Sequence, residues 1–118
     1  MLIEKEKTAS FDVDPQCGFT PLCPDELPVI DGDQIVAALN AQARFAGLRL
    51  ASKDCHPSEA PRVAGRPAAI MTPVAGDYPG LEIKWPRHCV GGCDGHRWTT
   101  RLPVAGHYGL LIVHGQEP

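Results

Sequence analysis

Apolar and polar positions follow two different periods along the first half of the chain. From Thr8 to Val13 a short run has Phe11 and Val13 as its apolar members and Asp12 near its carboxyl end, which predicts a buried strand. Pro15, Gly18, Pro21, Pro24 and Pro28 then break any period and predict a long irregular loop. Ile35, Val36, Leu39, Ala43 and Ala46 recur at near-helical spacing, so an amphipathic helix is expected over residues 33 to 45. Asp31 stands where it can cap free amides, Gln34 follows three positions on, and Gly47 is placed to end the helix. Leu48 to Ser52 alternates again into a second strand, with Asp54 and His56 just past its end. Tyr108 to Val113, nearly all apolar, reads as a third strand of the kind found at the centre of a parallel sheet.

The order strand, helix, strand implies a right-handed crossover and a parallel sheet, hence an α/β fold. Residues 57 to 81 hold five Pro and three Gly with little periodicity and read as loop, as does the stretch from Pro86 to Gly95. Three strands and one clear helix leave one face of the sheet poorly covered. The expected architecture is therefore a partial three-layer α-β-α fold.

Composition narrows the class. At 118 residues the chain is one small domain, and 43% apolar content with a net charge of −3 describes an ordinary globular protein, not a disordered one. There is no basic stripe, which argues against nucleic-acid binding. No apolar run approaches the roughly 20 residues of a spanning helix, which argues against membrane insertion. The charged start, Met1 to Lys7, has no apolar signal-peptide core. Cys17, Cys23, Cys55, Cys89 and Cys93 are odd in number and lack a secreted disulfide spacing, so a cytoplasmic location is expected.

Candidate chemistry gathers at Lys53-Asp54-Cys55-His56-Pro57 and at Trp85-Pro86-Arg87-His88-Cys89-Val90. A carboxylate and an imidazole two residues apart, met by a second imidazole from a distant segment, is a donor set for a divalent transition metal with positions left open. Asp54, His56 and His88 are the candidate ligands, and zinc, iron and manganese all suit them. A rival zinc reading uses Cys89, Cys93 and His96, completed by Cys17 and Cys23. Its spacings fall outside or at the edge of common structural zinc pairs. Cys89 then reads as a small buried apolar residue, and His96 and His107 as surface residues.

The three segments together carry a resemblance. Asp12-Val13 after a strand, then Lys53-Asp54-Cys55-His56-Pro57, then Trp85-Pro86-Arg87-His88-Cys89-Val90-Gly91-Gly92 resemble the nicotinamidase/pyrazinamidase branch of the isochorismatase-like cysteine hydrolases. That family's segments read DxQxDF, DWHPxNH and WPxHCVxGTxG. The match runs through the whole chain in order, but corresponds only to the amino-terminal half of the family domain. The resemblance implies hydrolysis of an aromatic amide, nicotinamide to nicotinate plus ammonia, through a Cys nucleophile assisted by an Asp and a Lys. It would make Asp12 the acid/base Asp of that triad and Asp54, His56 and His88 the metal ligands.

The departures shape the expectation. The later His of the metal segment falls on Ala60, with Glu59 beside it as a possible substitute ligand. Cys55 stands where Trp or Phe is usual, and Phe19 is displaced from the first Asp by Pro15-Gln16-Cys17-Gly18. The triad Lys is replaced by His114, only partly charged near neutral pH. No Cys of this chain has the nucleophile's sequence context; that residue is expected beyond Pro118. The implied protein is thus a single truncated domain over residues 1–118, inactive alone, with a small aromatic amide as ligand. The alternative is a non-catalytic binding or partner subunit that self-associates or is completed by another chain. A gene remnant without function is a third option.

Overall fold

The structure, a computed structural model, describes residues 3–61, 63–64, 69–76, 82–99, 102 and 107–116. Parts of the stretch read as loop between 57 and 81, and Pro118, lie outside these residues. Three strands, β1 (Ala9–Asp12), β2 (Leu48–Asp54) and β3 (Leu110–His114), form a parallel sheet in the order β1-β2-β3. In register, Phe11 lies beside Leu50 and Leu50 beside Leu110, while Asp54 lies beside His114 at the carboxyl rim. The α/β class and the parallel arrangement are as the period change predicts.

The connection from β1 to β2 carries one α-helix, α1 (Val36–Gln42), preceded by a 3-10 turn at Gly32–Gln34 and followed by another at Ala43–Phe45. The predicted helical span is right, but it is not one continuous α-helix. Asp31 does not cap it: its backbone is left-handed at φ 60°, unlike the extended conformation of a capping residue. Its Oδ1 instead accepts a hydrogen bond from Gln34 Nε2 at 3.1 Å. Gly47 follows the helix and donates its N–H to Lys5 O (2.7 Å) and Thr8 O (3.0 Å), tying the crossover back to the start of β1.

Two strand expectations are corrected. In β1 the buried residues are Ser10 and Asp12, whereas Phe11 and Val13 are 44% and 63% exposed. Because side chains alternate, Ser10, Asp12, Arg49 and Ala51 share the face toward α1, where Arg49 Nη1 donates to Asn40 Oδ1 at 3.0 Å. Phe11, Leu48, Leu110 and Ile112 share the opposite face and remain exposed. β3 is an edge strand, not the centre: β2 takes that place, and β3 is largely exposed despite its apolar sequence.

The radius of gyration, 16.2 Å, exceeds the about 13.5 Å expected of a compact domain of this length, in keeping with a sheet covered on one side. The region read as loop is not wholly unpaired. Val63 bridges to Trp85 and Pro73 to Ile83, so its described parts dress the segment leading to His88. No helix among the described residues is long and apolar enough to cross a membrane.

Candidate metal centre

The site is built where β2 runs past the end of its neighbours. Beyond Asp54, Cys55 donates its N–H to His114 O (2.9 Å), His56 donates to Cys89 O (3.1 Å), and Gly91 donates to His56 O (3.1 Å). The segment from Asp54 to His56 is therefore held in extended form between the end of β3 and the stretch Cys89–Gly91. On the β1 side the backbone partner is missing, because β1 ends at Asp12. The side chain of Gln16 replaces it: its Oε1 accepts from Asp54 N at 2.7 Å and its Nε2 donates to Asp54 O at 2.8 Å. Gln16 is fully buried and also donates to His96 O, so neither of its polar atoms is left unsatisfied.

Asp54, His56 and His88, all buried, bring one donor atom each within 4.8 Å of one another. Asp54 Oδ2 lies 2.9 Å from His56 Nε2 and 3.3 Å from His88 Nε2, and the two Nε2 atoms are 3.2 Å apart. His56 Nδ1 lies 2.9 Å from Gly115 O and His88 Nδ1 2.6 Å from Pro86 O. Carbonyl oxygens only accept, so Nδ1 of each ring carries the proton and Nε2 of the neutral ring presents a lone pair. Three lone-pair atoms thus converge with no hydrogen between them. Such an arrangement is stabilised by a cation, and backbone carbonyls behind metal-bound imidazoles are the usual outer support. The donor set suits a divalent metal ion.

The electrostatics agree. Burial acts to raise the pKa of Asp54, but hydrogen bonds and charge from His56 and His88 more than reverse it and hold the carboxyl well below its usual range. Burial acts to lower His88, yet its contacts with Asp54 and Pro86 O outweigh that and raise it. Without a metal, a proton takes up part of the same role.

Beside this group lies a second one. His114 Nε2 is 2.9 Å from Asp14 Oδ1 and 3.0 Å from Asp14 Oδ2, and Ser52 Oγ donates to Asp14 Oδ1 at 2.7 Å. The opposite edge of the same imidazole, Nδ1, stands 3.6 Å from Asp54 Oδ1. Asp14 has a left-handed backbone, φ 44°, which turns the chain off β1 and aims its carboxylate over the rim. Asp12 is not brought to this site. It points to the α1 side, where Arg49 Nε and Nη2 hold its Oδ2 at 2.8 and 2.6 Å and Tyr108 OH donates at 3.0 Å. Glu59 is exposed and outside the donor group, and Ala60 is buried.

A cleft of about 310 Å³ opens on the group, lined by Leu27, Asp54, His56, Trp85, His88, His114 and Gly115. The Phe19 ring lies 5.6 Å from that of His88. Flat apolar side chains thus flank the polar cluster. Gly115 cannot carry a side chain here: a Cβ would collide with Asp54 Oδ1, and its φ is +80°. All five cysteines are free, and no group of metal-ligating side chains that includes one gathers among the described residues. Cys89 is fully buried, and burial followed by the nearby Asp54 and Glu26 carboxylates pushes its thiol far up, so it remains protonated and inert. His107 is exposed and His96 half-buried.

No family model matches the sequence, and no curated protein matches it. Solved structures do. A nicotinamidase/pyrazinamidase of Acinetobacter baumanii superposes with a TM-score of 0.77 at 28% identity, covering 92% of this chain and 52% of that one. The fold is that of the nicotinamidases and pyrazinamidases. A pyrazinamidase of Pyrococcus horikoshii, solved in complex with zinc, gives 0.63 at 27% identity over 98% of this chain and 54% of that one. The yeast nicotinamidase Pnc1p bound to the inhibitor nicotinaldehyde gives 0.69 at 22% identity over 92% and 56%, a likeness of fold alone. The chain spans about half the length of the structures it matches.

Two residues escaped the sequence reading, Asp14 and Gln16. Taken from Asp14, the pattern DxQxDF falls on Asp14, Gln16 and Phe19 with no insertion, departing only at Gly18.

Proposed function

We propose that this chain carries the metal and carboxylate side of a nicotinamidase-like amide-hydrolysing site, as the amino-terminal half of such a domain. The observation that carries the reading is the convergence of Asp54, His56 and His88 on one cleft with His114, whose other edge meets Asp14. Asp14, rather than Asp12, is the residue for acid/base work: it is half-buried and has within hydrogen-bond reach an imidazole, His114, that lines the cleft. His114 occupies the place of the triad Lys and orients the Asp14 carboxylate. Trp85, which lines the cleft, gives a flat aromatic amide such as nicotinamide a surface to lie on, and Phe19 backs the His88 ring. Asp54, His56 and His88 would hold a divalent ion, which would supply Lewis acidity toward that amide.

Covalent amide hydrolysis also needs a nucleophile near this cleft. Cys89 is buried and protonated, and the remaining cysteines are not in the donor group. The chain alone should therefore bind a metal and a small aromatic amide without turning the amide over. A coupled assay for ammonia release from nicotinamide, run with zinc, iron and manganese in turn, tests this. Release above buffer that disappears in Asp14→Ala overturns the claim of inactivity; failure of the chain to retain any of these metals overturns the site itself.

A second reading is favoured by the uncovered sheet face, where Phe11, Leu48, Leu110 and Ile112 are all exposed. In it the chain is a subunit covered there by a complementing chain or a second copy. Light scattering after size exclusion discriminates: a stable monomer at high concentration speaks against self-association. Five free thiols suit a reducing compartment such as the cytoplasm.

A further inference from the structure

His114 has two ring nitrogens in different surroundings, and the difference assigns each a role. Nε2 faces both oxygens of Asp14, at 2.9 and 3.0 Å. A carboxylate accepts only, so the proton of the neutral ring sits on Nε2 and Nδ1 is left with the lone pair. Asp14 is itself fixed, since Ser52 Oγ donates to its Oδ1. Nδ1 faces Asp54 Oδ1 at 3.6 Å, too far for a hydrogen bond, and the facing atom is a second acceptor. The space beside that gap is the cleft shared by Asp54, His56, His88 and His114.

The backbone next to His114 already serves this centre. Gly115 O fixes the ring of His56, and His114 O holds the N–H of Cys55 between the two candidate ligands. The end of β3 is thus part of the shell around the donor group, and His114 is its outermost side chain. Only Asp54, His56 and His88 gather within 4.8 Å, so His114 stands just outside. Its side chain is 46% exposed, so packing does not lock the imidazole in place.

We propose that His114 is a fourth, exchangeable ligand of the metal centre, binding through Nδ1 and backed by Asp14 through Nε2. The Asp14–His114 pair then forms the carboxylate–histidine–metal arrangement that raises the basicity of a ligating imidazole and fixes its tautomer. The centre becomes one of three imidazoles and one carboxylate, a set that satisfies a tetrahedral zinc ion without an open position. A small ligand would have to displace His114 to reach the metal. This inference rests on the proposed metal centre.

The test is a titration of the full chain with zinc alone, read by long-range nitrogen–proton NMR of the histidine rings. Expected are metal-bound nitrogens at Nε2 of His56 and His88 and at Nδ1 of His114. If His56 and His88 respond while His114 keeps protons on both nitrogens, it is an imidazolium bridging Asp14 and Asp54, and the proposal is overturned while the metal centre stands. If none of the three responds, both fall. Zinc affinity measured against a chromogenic chelator gives a second readout. His114→Ala should weaken it by on the order of 10- to 100-fold and Asp14→Asn by about tenfold. Equal affinity in wild type and His114→Ala overturns the proposal, and chelator-treated samples compared by circular dichroism separate loss of a ligand from loss of fold.

Discussion

Asp12 and Asp14 are two residues apart in sequence and lie in opposite environments. Asp12 has no exposed surface; Arg49 grips its Oδ2 with two nitrogens, and its Oδ1 has no partner among the described residues. Tyr108 and Asn40 complete that cluster, with the Arg49 guanidinium 5.3 Å above the Tyr108 ring. Asp14 is half-buried, keeps both oxygens engaged, and opens toward a cleft through a partner that is itself 46% exposed. Asp12 is locked in a buried ion pair on the face toward α1, whereas Asp14 sits at a wet rim beside an imidazole. The same residue type therefore serves cohesion on one face of the sheet and, in the proposed function, chemistry at its rim.

The sharpest way to break that contrast is to remove each carboxylate in turn. Asp12→Ala leaves the Arg49 charge largely buried without its partner and should destabilise the chain by about 3–5 kcal/mol. Asp14→Ala removes a solvent-screened pair and should cost at most about 1 kcal/mol. Urea denaturation monitored by circular dichroism measures both. A ranking in the reverse order would mean that the rim, not the face toward α1, holds the fold together.

The period change along the chain made the parallel α/β layout legible, since alternation and helical spacing are local signals. Which face of the sheet is covered was not legible. Phe11 and Val13 look like core residues next to Asp12, but burial depends on where α1 lands, and α1 lands on the face of Ser10, Asp12 and Arg49. For the same reason the apolar run of β3 misled: its pattern fits a strand covered on both sides, and here it lies at an edge. The candidate metal group was readable because its residue types are rare in combination and two of its members, Asp54 and His56, are two residues apart in sequence. Asp14 was not, because strand geometry favours the residue nearest the strand end. Only the left-handed backbone at Asp14, a property no period reveals, turns it over the rim.

Gln16 offers a finer test, since it links the two environments by finishing the β1 edge with a side chain. Gln16→Ala leaves the N–H and C=O of Asp54 without partners in a buried position, which should cost about 1–3 kcal/mol. It should also loosen Asp54 and weaken zinc binding by about tenfold, the effect of losing an outer support. A variant that loses stability but keeps full zinc affinity, in thermal melts paired with chelator competition, would show that Asp54 is positioned by the metal ligands alone.

The smallest expected effect comes from the covered face. Burial first, and then the hydrogen bond to Asp12, push the Tyr108 phenol up to about 12, while Arg49 pulls modestly the other way. The neutral phenol is the form that donates to Asp12. With the folded value above the unfolded value of about 10, the contribution of this group is fully present below pH of about 10. It is lost as pH rises through about 12, because the unfolded chain then gives up its proton more readily than the folded one. Tyr108→Phe should cost about 0.5–1.5 kcal/mol at neutral pH, a little more if Asp12 is then left with Arg49 as its only donor. Ultraviolet titration of phenolate absorbance tests the cause directly, with Tyr108→Phe identifying which transition belongs to this residue. A midpoint near 10 for Tyr108 in the folded chain would mean that the face toward α1 is as open to water as the rim, and the distinction between the two carboxylates would lose its physical basis.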